Sequence, residues 1–557
     1  MHSVNPFSDA TKRLGWLFGV TILLMMSSIA LARGQDMQGM PGMAKPKPSP
    51  APQPKKPDQK KDEMKGMDMK SAPSPSPSPS PSPSAERMEM PMPSPSPQTS
   101  PHGQMNMPMP AASPSPRAMG QMPGMQMDDT NLGPLLVMSE AGMGVRIGAP
   151  GAGNVMNLGQ MGSGTSWQPD TSPMHMLDKV KGDWLFMAHY NVVIGVNSQG
   201  GLRGTTKFES PNWFMPIAYR RVGRGTLQLR GMFSLEPFTF ARGGSPLLYQ
   251  TGESYKGQPL IDKQHPHDLF MELSAEYTLA LGERGRWFTY FGYPGEPALG
   301  PPAFMHRASA SENPSATLAH HLQDSTHISF GVFTTGFTYR WFKVEGSIFN
   351  GREPDENRYD FDSHRWNSRS ARITFAPNNN WAIQASYGFL RSPEGQEPDT
   401  DIRRATASVQ YNKPFARGNW ATAFIWGRNH TSRPGETHNL NGYTAESTLN
   451  FHDKNYLYTR LELVDKDELL RTSDRTLLGI TQARPSFRIG AYTFGGVRDV
   501  WKKDKLSLGI GSDVTFYSTP AVLDRVYGNN PVSWRLFLRL RPRKMEMSTA
   551  QGTHKHE

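Results

Sequence analysis

Cysteine is absent from all 557 residues. Disulfides and thiolate metal sites are therefore excluded, although the chain is expected to reach compartments where disulfides persist. Long apolar runs are equally scarce. After residue 32 no stretch reaches the ~18 consecutive apolar residues of a spanning helix, so any membrane crossing must be made by a closed barrel. The formal net charge of +11 is dispersed. Its lysines gather in a polar tract (Lys45, Lys47, Lys55, Lys56, Lys60 and Lys61), and no motif points to nucleic acid.

The start of the chain reads as a secretory signal over residues 1–32. Lys12 and Arg13 form a positive region, Leu14 to Ile29 an apolar one, and Ala30-Leu31-Ala32 a small-x-small cleavage site. The expected destination is the outer membrane of a Gram-negative cell, with the tail that follows in the periplasm.

Residues 33–127 have almost no β-branched or aromatic residues, so they cannot bury enough surface to offset the entropy of ordering. The Pro-Ser alternation around residues 72–84 favours an extended polyproline spacer. What the tail does have is methionine, sixteen of them. They run as Met37, Met40 and Met43; Met64, Met67 and Met69; Met88, Met90 and Met92; Met105, Met107 and Met109 beside His102; and Met119, Met122, Met125 and Met127. Thioethers are soft, uncharged ligands suited to Cu(I), and at these spacings a flexible chain can gather two or three around one copper or silver ion. Low-complexity drift, with methionine as an oxidation sink, is the competing reading.

From residue 181 to 541 the chain repeats segments of alternating polarity, each near the length of a tilted membrane strand. In the last, Val532, Trp534, Leu536, Leu538 and Leu540 share one face while Ser533, Arg535, Arg539 and Arg541 share the other. Trp381, Ile383, Ala385, Tyr387 and Phe389 share a face in another segment, and Ala405, Ala407, Val409 and Tyr411 in a third. Repeated arginines would be costly in a dry core, so a water-filled lumen is expected, with Arg403, Arg535 and Arg539 making it basic. The links alternate between short (Gly282–Arg286, Pro377–Asn380, Lys413–Gly418, His452–Asn455, Lys502–Lys505) and long. The long ones cover roughly 197–211, 236–266, 293–325, 351–367, 391–401, 430–440, 466–483 and 518–530. This pattern predicts an all-β transmembrane antiparallel barrel of about 16 strands, within a range of about 14 to 18. Residues 128–180 form a linker or a plug. Residues 542–557 form a C-terminal tail carrying Met545, Met547, His554 and His556.

Six of the sixteen histidines fall between residues 265 and 327. They are His265 and His267, then His306, then His320 and His321 with Asp324, and His327. Long outer loops flanking one hairpin bring them toward one mouth of the barrel. Imidazole and carboxylate suit Zn(II), Cu(II) or Ni(II), and a structural polar network explains the same residues. Gly351-Arg352-Glu353-Pro354-Asp355-Glu356 adds three carboxylates near that mouth. A hydrolase would need Ser325 or Ser329 beside His327 or His321, or His267 with Asp268, and no nucleophile elbow is present.

Several strings resemble a widespread group of uncharacterised Gram-negative outer-membrane barrels. They are Gly164 to Pro169 with Pro173-Met174-His175-Met176, QHPHDLFMEL from Gln264, GEPALGPPAFMHR from Gly295, QDSTHISFGV from Gln323 and EGSIFNGREPDE from Glu345. The resemblance spans about residues 162–541 and implies a barrel but no activity. In architecture the chain is also similar to the copper-resistance protein B family, which joins a Met- and His-rich periplasmic tail to an outer-membrane barrel. That likeness is architectural, supports the copper reading of the tail and assigns no residue roles; the expected partners are outer-membrane lipids, metal ions and periplasmic metal carriers. The readings are thus a copper- or silver-handling barrel, an anion-preferring porin or solute channel, and an outer-membrane hydrolase.

Overall fold

The computed structural model describes residues 135–545, apart from 140, 149–152 and 363–364. Sixteen antiparallel strands close into one barrel. They are β1 (Trp184–Ser198), β2 (Asn212–Val222), β3 (Gly225–Phe233), β4 (Phe270–Leu281), β5 (Gly285–Gly292), β6 (Val332–Tyr339), β7 (Phe342–Phe349) and β8 (Ser368–Phe375). The second half is β9 (Trp381–Arg391), β10 (Asp401–Phe415), β11 (Gly418–Arg433), β12 (Glu436–Phe451), β13 (Asn455–Lys466), β14 (Phe487–Lys503), β15 (Leu506–Ser518) and β16 (Val532–Pro542).

Each strand shows the period-2 alternation that a wall with two different solvents demands. Outward positions such as Phe337, Val344, Ile373, Phe424, Leu457, Phe494 and Leu536 are exposed and apolar, forming the band that meets lipid. At the short-turn end Trp287, Tyr339, Trp341, Trp381, Trp420 and Trp501 are exposed beside the turns, as an aromatic interfacial girdle requires. The chain is therefore an outer-membrane-type barrel. Long loops occupy the other end, with one correction. The expected loop over 430–440 is a continuation of β11 and β12, whose ladder runs to Arg433↔Glu436 around Pro434-Gly435.

The seam has two storeys. β16 pairs with β1 along residues 192–198 only. The lower half of that edge of β1 pairs with a short strand, Met176–Lys181, that precedes it.

The lumen is filled with protein. A small sheet of Leu136–Ser139, Gly142–Arg146 and Val155–Asn157 sits by the short turns, where the Asn154 amide donates to the carbonyls of Gly282 and Gly285 at 3.1 and 2.9 Å. The following residues enter the barrel. Thr165 donates to Glu345 Oε2 at 2.5 Å, and Arg230 donates to the Gly164 carbonyl at 2.5 Å. From the long-loop end, the β5–β6 loop folds inward. Its Arg307, 0% exposed, meets Asp324 of the same loop and Glu446 of β12, both at 2.7 Å. Its Glu312 receives Arg539 and Arg541 of β16. The glycines of the wall make room for this loop: a Cβ at Gly427 would lie 2.2 Å from the Leu322 carbonyl oxygen.

The expectation of a water-filled lumen is corrected here. Inward arginines such as Arg230, Arg307, Arg372 and Arg539 pair with carboxylates inside the lumen, and cavities of about 10 to 50 Å³ remain between the packed segments, room for about one to a few waters each. Arg403 is corrected as well. It faces outward, on the same face as Ala405 and Ala407, and its neighbour Arg404 is the buried one.

A candidate metal centre in the long-loop half of the lumen

Five of the six predicted histidines come together. His265 and His267 end the β3–β4 loop, whose preceding segment, Ser245–Tyr255 paired with Gln258–Gln264, holds them against the lumen. His320 and His321 open a single helical turn, His320–Gln323, and His327 closes the next one, Ser325–His327. Ring centroids lie 5.8 Å apart for His265 and His321, 5.3 Å for His320 and His321, 5.0 Å for His320 and His327, and 5.3 Å for His267 and His327. Asp324 accepts from His320 Nδ1 at 2.7 Å while also bound to Arg307. It therefore orients the group instead of standing free. His306 is set apart, with its Nε2 3.4 Å from the sulfur of Met232.

Carboxylates complete the cluster. His267 Nδ1 lies 2.7 Å from Glu236, and His265 Nε2 lies 2.9 Å from Glu253, which also pairs with Arg358. His321 Nδ1 is 3.4 Å from Glu353 Oε2, and ligand atoms of His321, Glu353 and Glu394 all lie within 4.8 Å of one another. Three loops supply these three residues: β5–β6, β7–β8 and β9–β10. Glu236, Glu253 and Glu394 were not singled out from the sequence. Their distance from the histidines along the chain hides them, and only the long-loop pattern hinted that such residues would converge.

Bonding within the cluster separates structural members from available ones. Nδ1 of His321 is taken up by Glu353, whereas Nε2 of His321, of His267 and of His327 is buried with no hydrogen-bond partner. Ligands bound to one ion at about 2.0–2.2 Å sit no more than about 4.4 Å apart. The His321, Glu353 and Glu394 set closes on an ion with a shift of a few tenths of an ångström. The residues fit a transition-metal ion of imidazole and carboxylate preference.

Electrostatics agree. Burial, with Arg358 and the neighbouring imidazoles, holds His265 well below the usual histidine range. Burial, with His320 and His267 beside it, does the same to His327. Both rings are thereby held neutral near pH 7, and Nε2 of His327 has no hydrogen-bond partner. Burial opposes the charging of His267, but Glu236 outweighs it and raises the ring. Glu394 is pushed well above the carboxylate range by burial, then by Glu353, Glu468 and Glu253. A cluster of carboxylates crowded enough to keep a proton is one that a cation relieves.

Gly252 meets this site at close range. Its φ of +115° is reserved for glycine, and a Cβ there would lie 2.4 Å from His321 Nε2. Gly252→Ala is expected to cost about 1–3 kcal/mol through strain and overpacking and to displace the imidazole. Thermal unfolding beside metal titration checks both effects, and an unchanged midpoint with unchanged affinity contradicts the placement.

The residues considered for hydrolysis are not assembled. Ser325 donates to Glu353 and accepts from Arg404, both at 2.9 Å, Ser329 donates to the Thr326 carbonyl, and Asp268 pairs with Arg358. The soft-ligand candidates Met37, Met40, Met43, Met64, Met67, Met69, Met88, Met90, Met92, His102, Met105, Met107, Met109, Met119, Met122, Met125 and Met127 lie outside the described residues, as do the signal segment and Met547, His554 and His556.

No family model matches the chain, and no curated protein matches it. Among solved structures it is similar to an anion-selective porin from Comamonas acidovorans, at 9% identity over 64% of this chain and 99% of that one, with a TM-score of 0.37. It is also similar to the outer-membrane protein OmpT of Vibrio cholerae, at 7% identity over 66% and 100%, with a TM-score of 0.39. OmpF of Salmonella typhi matches at 9% identity over 65% and 100%, with a TM-score of 0.39.

Proposed function

We propose that this protein is an outer-membrane barrel that binds and handles copper-group metal ions. The long-loop cluster takes a divalent ion, and the methionine-rich tail gathers monovalent copper or silver. The observation that carries this reading is the set of His321, Glu353 and Glu394, with ligand atoms within 4.8 Å of one another, among buried Nε2 atoms of His321, His267 and His327 that have no hydrogen-bond partner. A purely structural network would satisfy those atoms, because an unmade buried hydrogen bond costs about 1–3 kcal/mol.

Cu(II) titration of the purified full-length protein tests it. One ion with imidazole nitrogen in its electron paramagnetic resonance spectrum is expected, and no uptake overturns the reading. Separately, Cu(I) titration against a chelator, with and without residues 33–127, should show tail-dependent uptake of several ions. Equal uptake reduces the tail to a spacer.

A solute channel is the second reading, favoured by the arginines that line the wall (Arg460, Arg535, Arg539, Arg541), which focus potential toward anions. It requires the β5–β6 loop to leave the lumen. A large resting conductance in planar bilayers would favour it, and a closed trace favours metal handling.

A further inference from the structure

His306, the histidine left out of the long-loop cluster, belongs to a second group nearer the short turns. Its ring lies 6.3 Å from that of His189 in β1 and 4.9 Å from the indole of Trp213 in β2. Its Nε2 is 3.4 Å from the thioether of Met232 in β3. Met215 and Met305 line the same cavity of about 40 Å³, beside Met174. Strand alternation turns His189, Met215 and Met232 inward on three neighbouring strands, so the wall itself presents them.

Methionine fills irregular gaps in ordinary cores, and packing alone would account for one or two of these. It does not call for two inward imidazoles among them. The donor set also differs in kind from the long-loop cluster. No carboxylate lines this cavity, and one arginine does. Neutral thioether and imidazole donors without a counter-charge disfavour a divalent ion and suit a monovalent soft one. The face of Trp213 supplies a further attraction for a cation in a dry site.

We infer that this cavity is a binding site for Cu(I) or Ag(I), with donors drawn from His306, His189, Met215, Met232 and Met305. The inference rests on the metal-handling reading for its context and adds a site of another ligand class, placed between the entering N-terminal segment and the long-loop cluster. The histidine rings then form a file through the lumen, His189 and His306 below, His267, His327, His320, His265 and His321 above.

The test uses the full chain labelled with methyl-13C methionine and titrated with silver nitrate in chloride-free buffer. The Leu variants of Met215, Met232 and Met305, close in volume, assign those methyl signals. The Met232 and Met305 methyls are expected to move together and saturate. His306→Phe should weaken that response about tenfold or more, leaving the tail methyls unaffected. Met232→Leu should weaken the Met305 response in the same way, which keeps the test open if His306→Phe does not fold. Lumen methyls that stay fixed while tail methyls saturate overturn the site, and so does full affinity in both variants. Either result leaves the Cu(II) reading of the long-loop cluster standing. A Cu(II) failure beside a lumen response removes that reading and keeps this one.

Discussion

Replacing Arg307 by alanine is expected to turn a closed barrel into a conducting one. The guanidinium is fully buried between Asp324 and Glu446, and it also donates to the Pro302 carbonyl at 2.8 Å. It ties the inward-folded β5–β6 loop both to itself and to the wall. Removing it leaves two buried carboxylates short of a counter-charge, a loss of about 3–5 kcal/mol. Solvating those carboxylates requires the loop to lift. Single-channel recording should therefore show conductance rising well above that of the wild type, with a lowered unfolding midpoint. A variant as closed and as stable as the wild type would mean that the loop is held by its apolar contacts alone.

Glu353→Gln is expected to weaken divalent-metal binding about 100-fold, or about 2.7 kcal/mol, with little change of shape. The amide replaces the anionic ligand nearest His321. The same site predicts a pH dependence. Burial and three neighbouring carboxylates raise Glu394, so below its raised value an entering cation displaces a proton and affinity climbs as pH rises. Calorimetry in buffers of different ionisation enthalpy should register proton release on binding. Linkage fixes the sign for stability as well. A carboxyl whose folded pKa is raised contributes stability that is fully present below its unfolded value, about 4.3, and is lost as pH rises through the raised value. The ion-free protein should therefore lose stability as pH rises from about 4.3 through the raised value, and bound metal should remove that slope. A slope of opposite sign excludes Glu394 as the group responsible.

The barrel was legible because its wall has two solvents, which impresses a period of two on every strand. Where that contrast fades, reading the sequence failed. At residues 430–440 the strands continue beyond the lipid band, so His430, Thr431 and Ser432 look like loop residues although β11 and β12 remain paired there. Arg403 and Arg404 show the other weakness: a shift of one residue exchanges lumen for lipid, and adjacent arginines give no cue. Five histidines were legible as a cluster because two loops carry them. Of their carboxylate partners only Glu353 was placed near that mouth, since Glu236, Glu253 and Glu394 reach the site through loop packing that no local periodicity encodes. His189, Met215 and Met232 went unread because one inward polar or sulfur-bearing residue per strand looks ordinary until neighbouring strands are set side by side.

The two-storey seam has a consequence for how such a molecule is made. The N-terminal segment inside the lumen runs directly into the short strand that fills the lower half of the β1 edge, and the backbone at His175 bridges to Lys544 just beyond β16. Once those ladders are complete, the ring of strands has no gap through which a segment could pass. Closing the seam is therefore coupled to placing the N-terminal segment, because the residues leaving the lumen are the ones that complete the β1 edge. A barrel whose N-terminal segment had not settled would lack the lower half of that seam, so the lumen filling and the wall mature as one unit.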